Sequence, residues 1–329
     1  MRAFPNRPSC GYGFPATPRR QRGVALLLAV MVVAVAAIIG VEMWYANQLD
    51  IARVSNQRHA LQAEYYARGM ALWASDVLRE DFERDGAVDF TSDAWHQPVA
   101  GISIPEGTLA GRLRDLSARF NLNNLLDAEG RENPYQVAYF RRLLQRLQLD
   151  VSVADKLLDW MDRDRQPRSA GAEDFTYLAR RPAYYSADFP LLHISELRLL
   201  DGMDEVTYET LSKHVTVLPS HHAKININTA SVALLLALDE QLQVRQALAL
   251  HQQGQAAFRS LQDFLQHPAL AGYPLSLDAV AQLVGVSSQW FEAVSLVRME
   301  ESEYVFYALL QRQGAFSRPV LWSPVPFSR

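Results

Sequence analysis

Residues 22–45 read RGVALLLAVMVVAVAAIIGVEMWY, and the fold is decided in this stretch. From Val24 to Val41, 18 consecutive residues carry no charge. At ~1.5 Å per residue such a run makes a helix of about 27 Å, close to the hydrocarbon thickness of a bilayer. Polar sequence resumes at Glu42, and no second run of this kind follows. The expectation is a single membrane anchor near the N-terminus, with nearly everything else on one side.

Upstream of the run lie Arg2, Arg7, Arg19, Arg20 and Arg22 and no acidic residue, so this leader is expected to stay cytoplasmic. The chain holds 32 basic and 36 acidic residues; without those five arginines, 27 face 36, a net charge of −9. A mildly acidic body argues against a general nucleic-acid surface. The only cysteine, Cys10, is in the leader, so a chain that loses it has no disulfide to form. Three processing outcomes are open on composition: an uncleaved anchor, a signal peptide cut after Ala34-Val35-Ala36, or cleavage after Gly23.

The helical pattern continues past the apolar run. Glu42 to Glu83 contains no proline and one glycine, Gly69. Tyr66, Met70, Trp73 and Val77 recur at helical spacing, with Ile51, Val54, Leu61 and Tyr65 continuing toward the membrane. One helix running from a bilayer into a globular domain resembles type IV pilins and pseudopilins. That resemblance implies cleavage by a prepilin peptidase between Gly23 and Val24 and N-methylation of Val24. Pilins and most pseudopilins carry Glu at the fifth mature position, where this chain has Leu28. A carboxylate in the bilayer costs about 2.5–3.5 kcal/mol unless paired. Its absence suits a subunit that starts or caps a filament and has no neighbour above to supply a partner.

Beyond the helix, Gly101–Ile104 and Thr108–Leu113 around a Pro-Glu-Gly turn predict a hairpin, as do Phe291–Arg298 and Tyr304–Arg312 near the C-terminus. Pro319–Trp322 predicts an edge strand. Between these ends the pattern is helical, at 133–148, 151–162, 194–200, 204–211, 230–239, 242–253, 261–267 and 277–283. The expected fold is α+β: a long N-terminal transmembrane helix packed on a small antiparallel sheet, with a large mainly α-helical domain inserted. The expected division is a removed leader at 1–23, the span at 24–41, helix and first part of the head at 42–124, the inserted domain at 125–288, and closing strands at 289–329.

The segments ARFNLNNLL (118–126), LLDWMDRDRQPRSAGAEDFTYLARRPAYYSADFPLLHISELRLLDGMDEVTYETLSKHVTVLP (157–219) and ININTASVALLLAL (225–238) resemble the general secretion pathway protein K family. These are large minor pseudopilins of type II secretion. The resemblance implies a place at the tip of a periplasmic pseudopilus beside other minor pseudopilins, supporting export of folded proteins. It further implies contacts with the major pseudopilin and the inner-membrane secretion platform, substrate contact as an open option, and calcium in the inserted domain. The implied location is the inner membrane, single-pass, with the body in the periplasm.

Asp159, Asp162, Asp164, Glu173 and Asp174 place five carboxylates within sixteen residues. A loop of oxygen donors without His or Cys suits calcium better than zinc. Arg163, Arg165 and Arg168 support the plainer reading of a salt-bridged surface. The family resemblance favours calcium, with Asp159 the least secure ligand.

Two other functions compete. A minor pilin of a type IV pilus would share the anchor and the head. Asn228-Thr229-Ala230 before a helix resembles the opening of helix-hairpin-helix DNA-binding modules, with Asn228 or Thr229 as the N-cap. The phosphate-binding glycine such modules need is missing from Asp239-Glu240-Gln241-Leu242, so no nucleic-acid partner is expected. No nucleophile elbow, phosphate loop or zinc-protease motif points to an enzyme. His193 is expected to pack or cap, His221-His222 to lie in an exposed linker, and Trp73 and Trp160 to belong to the core.

Overall fold

The computed structural model describes Gly11 and residues 22–273, 275 and 277–327. The leader arginines before Arg22, and Cys10, lie outside the described residues.

Residues up to His59 and residues from Ala60 onward form two compact units. The first is the helical segment that opens α1 (Arg22–Asp85). Its apolar run is exposed throughout, and α1 is long and apolar enough to cross a membrane. Gly23 and Val24 sit in its first turn, and Val24 and Leu28 are both exposed.

In the second unit α1 lies on a five-stranded antiparallel sheet. Its strands are β1 (Val99–Ile104), β2 (Gly107–Asp115), β7 (Trp290–Met299), β8 (Ser302–Gln313) and β9 (Phe316–Ser323), adjacent in that order. The buried stripe of the helix is Ala63, Ala67, Met70, Ala71, Ala74 and Leu78. Of the expected stripe, Met70 is buried and Tyr66 and Val77 are half-buried against the core, but Trp73 is 46% exposed, and Ile51, Val54, Leu61 and Tyr65 all face solvent. Small residues face the sheet because the helix approaches it closely. At Gly111 on β2 an added Cβ would stand 2.9 Å from Met70 Sδ. Tyr66 and Val77 pack at the margins of this stripe.

Both expected hairpins are present, the expected edge strand is β9, and each strand is longer than expected. Sequence-adjacent strands pair as hairpins except at one step: β2 pairs with β7 along its whole length, Gly107↔Met299 to Asp115↔Phe291. The chain between them forms a helical block with its own core. It holds α2 (Pro134–Arg146), α3 (Ser152–Met161), α4 (Asp174–Leu178), α5 (Glu205–Leu211), α6 (Val232–Leu236), α7 (Val244–His251), α8 (Leu261–Leu265) and α9 (Leu277–Ala281). Asn133 caps α2 by accepting from Gln136 N, with Pro134 in the first turn where its missing N–H costs nothing. The expected helix at 194–200 is a 3-10 segment, Ile194–Leu199.

Short parallel pairs that no alternation announces complete the block: β3 (Phe120–Asn121) with β4 (Val215–Thr216), and β5 (Ile225–Asn226) with β6 (Val284–Gly285). Phe120 and Leu122, which the sequence division assigned to the head, pack in the core of the helical block. Phe120 stacks on Phe140 at 5.5 Å between centroids.

Candidate functional site

The acidic loop begins where α3 ends. Asp159 and Asp162 lie in and just after its last turn and are buried, because the amphipathic helix carries Leu157, Leu158 and Trp160 into the core around them. The loop returns at Glu173, the buried N-cap of α4. Gly171 makes that return possible: a Cβ there would overlap Asp159 Oδ2 at 1.8 Å.

Arg168 holds one side of the loop. Its backbone N–H donates to Asp159 Oδ2 at 3.1 Å. Its Nη1 donates to Asp159 Oδ1 at 2.6 Å and to Asp162 Oδ2 at 2.5 Å. On the other side Asp162, Asp164 and Glu173 each present a carboxylate oxygen, all within 4.8 Å of one another. Both Glu173 oxygens and Asp162 Oδ1 are buried without a hydrogen-bond partner among the described residues. Burial, then the charges of Asp159, Asp162, Asp188 and Asp164, push Glu173 up to about 7. Asp162 is also raised, chiefly by burial, against the lowering influence of Arg168.

Of the five expected ligands, three thus converge. Asp159 is instead engaged by Arg168. Asp174 turns to Ser186, accepting from its N–H at 3.1 Å and its hydroxyl at 2.8 Å. Asp188 was missed by the sequence reading. It bears on Glu173 electrostatically, and its own N–H donates to Trp160 O at 3.1 Å. It lies beyond α4, and no spacing rule connects it with the loop. Clustered, partnerless carboxylate oxygens without nitrogen or sulfur ligands are a donor set that fits calcium.

The remaining candidates have structural positions. His193 caps the 3-10 segment as expected: Ser195 N donates to its Nδ1 at 3.2 Å, and Glu196 completes a capping box. His221 is not in a free linker, since its Nδ1 lies 3.0 Å from Leu126 O and 3.1 Å from Asn123 O; His222 is exposed. Trp160 is in the core and Trp73 is not.

Neither Asn228 nor Thr229 caps α6, which Ser231 precedes. Asn228 exchanges two hydrogen bonds with the Phe258 backbone, and Thr229 donates to Asp115. The segment 225–228 is entirely buried, a position from which a phosphate backbone is out of reach.

Comparison with known proteins gives a consistent result. The family described as type II secretion system protein K matches residues 118–220 and 225–287. Similar relatives include the type II secretion system protein K of Pseudomonas aeruginosa, 35% identical and covering 89% of this chain and 90% of the relative. That of Aeromonas hydrophila is 34% identical, covering 84% and 88%. Among solved structures, a chain of the GspK–GspI–GspJ complex from the enterotoxigenic Escherichia coli type 2 secretion system superposes with a TM-score of 0.72. It is 29% identical, and the match covers 82% of this chain and 98% of that one.

Proposed function

The chain belongs to the type II secretion system protein K family, and from that premise we propose that it is the minor pseudopilin that caps and initiates a periplasmic pseudopilus. The observation that carries this reading is the interruption of the sheet. A helix-on-sheet head has a helical block lodged between β2 and β7, and a chain of the GspK–GspI–GspJ complex superposes on most of this architecture. Two other minor pseudopilins are accordingly the proposed partners.

The mechanism is mechanical. Val24–Val41 holds the subunit in the inner membrane after a prepilin peptidase cuts behind Gly23. An uncharged Leu28 requires no partner from a subunit above, so the helix is suited to head a bundle. The bulk of the helical block keeps a further subunit from stacking on the head.

Calcium, when bound, would supply positive charge and oxygen coordination to a loop with little apolar content. Asp162, Asp164 and Glu173 are the residues that would hold it, and Arg168 holds Asp159 in place beside them.

Co-expression of the full chain with two minor pseudopilins of the same secretion system tests the function. A stable three-subunit assembly, together with restored secretion in a strain lacking the chain, is expected. No assembly and no restoration would overturn the reading.

A further inference from the structure

A second set of charges meets where the helical block rejoins the sheet. Asp81 is in the last turn of α1, Asp89 and Asp93 are on the loop to β1, and Arg312 is near the end of β8. All four are buried, with Asp89 fully enclosed. The three aspartates each place a carboxylate oxygen within 4.8 Å of the others.

Arg312 Nη2 pairs with Asp89 Oδ2 and donates to Ser288 O at 2.8 Å. Its Nη1 is 3.9 Å from Asp81 Oδ2, too far for a hydrogen bond. Half-exposed Arg84 reaches Asp81 Oδ1 at 3.0 Å. Asp93 Oδ2 accepts from Phe90 N at 2.7 Å and Trp95 Nε1 at 3.2 Å. Asp81 Oδ2 and Asp89 Oδ1 remain buried without hydrogen-bond partners among the described residues.

The charges do not balance. Three carboxylates face one buried guanidinium and one at the rim, which leaves a net negative charge in a dry site. The orphaned atoms are two acceptors, Asp81 Oδ2 and Asp89 Oδ1, against one donor, Arg312 Nη1, and a proton on a carboxylate would supply the second donor.

The same residues join three parts of the fold. Asp89 N–H donates to Val286 O at 3.0 Å, and Ser288 N–H to Asp89 Oδ2 at 2.7 Å. The Asn226 amide of the helical block donates to Asp89 O at 3.2 Å and Ser288 Oγ at 2.8 Å. Ser288 Oγ in turn donates to Asp115 on β2 at 2.6 Å.

We propose that Asp81 is a proton-operated clasp: it takes up a proton as its surroundings acidify, tightening the attachment of the helical block to the head. Burial, then Asp93 and Asp89, push Asp81 up to about 6, with Arg312 and Arg84 opposing. A raised carboxyl pKa means that the folded state binds a proton the unfolded chain has released. The stabilisation is therefore full below the unfolded value of 3.8 and is lost as pH rises through about 6. Asp89 is raised as well, chiefly by burial and against Arg312, and Asp115 is pushed up to about 6, chiefly by burial, so a variant at position 81 is needed to isolate this group.

The experiment is backbone hydrogen exchange on the full chain in detergent micelles, at fixed calcium, at about pH 5.5 and about pH 7.5, corrected for intrinsic rates. Amides of Asp89, Ile227 and Ser288 are expected to be about threefold or more better protected at the lower pH. Asp81→Asn should remove the share of that difference that Asp81 carries, leave the share carried by Asp115, and melt no lower than the parent at the higher pH. Asp93→Asn, which removes a facing charge but keeps Asp81, should move the transition to lower pH. Protection independent of pH in the parent, or an undiminished response in Asp81→Asn, would overturn the proposal. So would amides that respond to chelator as strongly as to pH, because a cation and not a proton would then fill the site.

Discussion

Gly171 lies so close to Asp159 that the side-chain oxygen occupies the space a Cβ would need, 1.8 Å from it. The far ends of the acidic loop are thereby locked together before any ion is considered. Gly171→Ala should destabilise the chain by about 1–3 kcal/mol by displacing Asp159 from Arg168. Thermal melting of the variant checks this, and an unchanged midpoint would mean that the loop yields freely.

Glu173 gives the loop a pH signature with two opposite signs. Without a cation, its raised pKa makes the folded state lose stability as pH climbs through about 7. Calcium requires the ionised carboxylate, so its stabilisation should grow over the same interval. Melting with calcium and with EGTA at about pH 6 and about pH 8 separates the two, with the larger calcium effect expected at the higher pH. Glu173→Gln should abolish the difference between calcium and EGTA, and a difference retained in full would remove Glu173 from the ligand set.

Leu28 is expected to matter for position in a filament. Leu28→Glu places a carboxylate at a depth where it costs about 2.5–3.5 kcal/mol unless paired. Secretion by a strain carrying only the variant should fall, with membrane levels of the protein near those of the parent. Undiminished secretion would show that a charge at this position is neutral for initiation.

Processing is checked by sequencing the N-terminus of the protein purified from membranes. Val24 is the expected first residue. Met1 would mean an uncleaved anchor, and Ala37 a signal peptide.

Asn123 fastens distant backbone segments together. Its amide donates to Leu191 O and Leu218 O at 2.9 Å each and accepts from Leu191 N at 2.9 Å. Asn123→Ala strands these buried groups and should cost about 2–4 kcal/mol, read as a lowered denaturation midpoint. A cost near zero would mean that water replaces the amide.

Much of the architecture was legible because it is written locally. The span, the hairpins around Pro105-Glu106-Gly107 and Glu300-Glu301, and the helices at 134–146 and 152–161 follow from periodicity and turn chemistry within short windows. Five acids between Asp159 and Asp174 drew attention to the loop in which three of them converge. The selection of Asp162, Asp164 and Glu173 was not legible. It depends on Arg168 engaging both oxygens of Asp159 while leaving Asp162 Oδ1 without a partner, and on Ser186 turning Asp174 away. The face of α1 was misread for a related reason: hydrophobicity ranks Trp73 above Ala74, whereas a helix lying close on a sheet selects for size.

By itself the order of residues determined a single apolar helix near the N-terminus, a head built from both ends of the chain, and the family motifs between 118 and 238. Only the tertiary structure decided which charges share a buried site. Arg312 and Asp89 are 223 residues apart, yet they form one ion pair. Burial and the distances between charges that set a carboxylate's proton affinity exist only once β2 has paired with β7 and the helical block has closed between them.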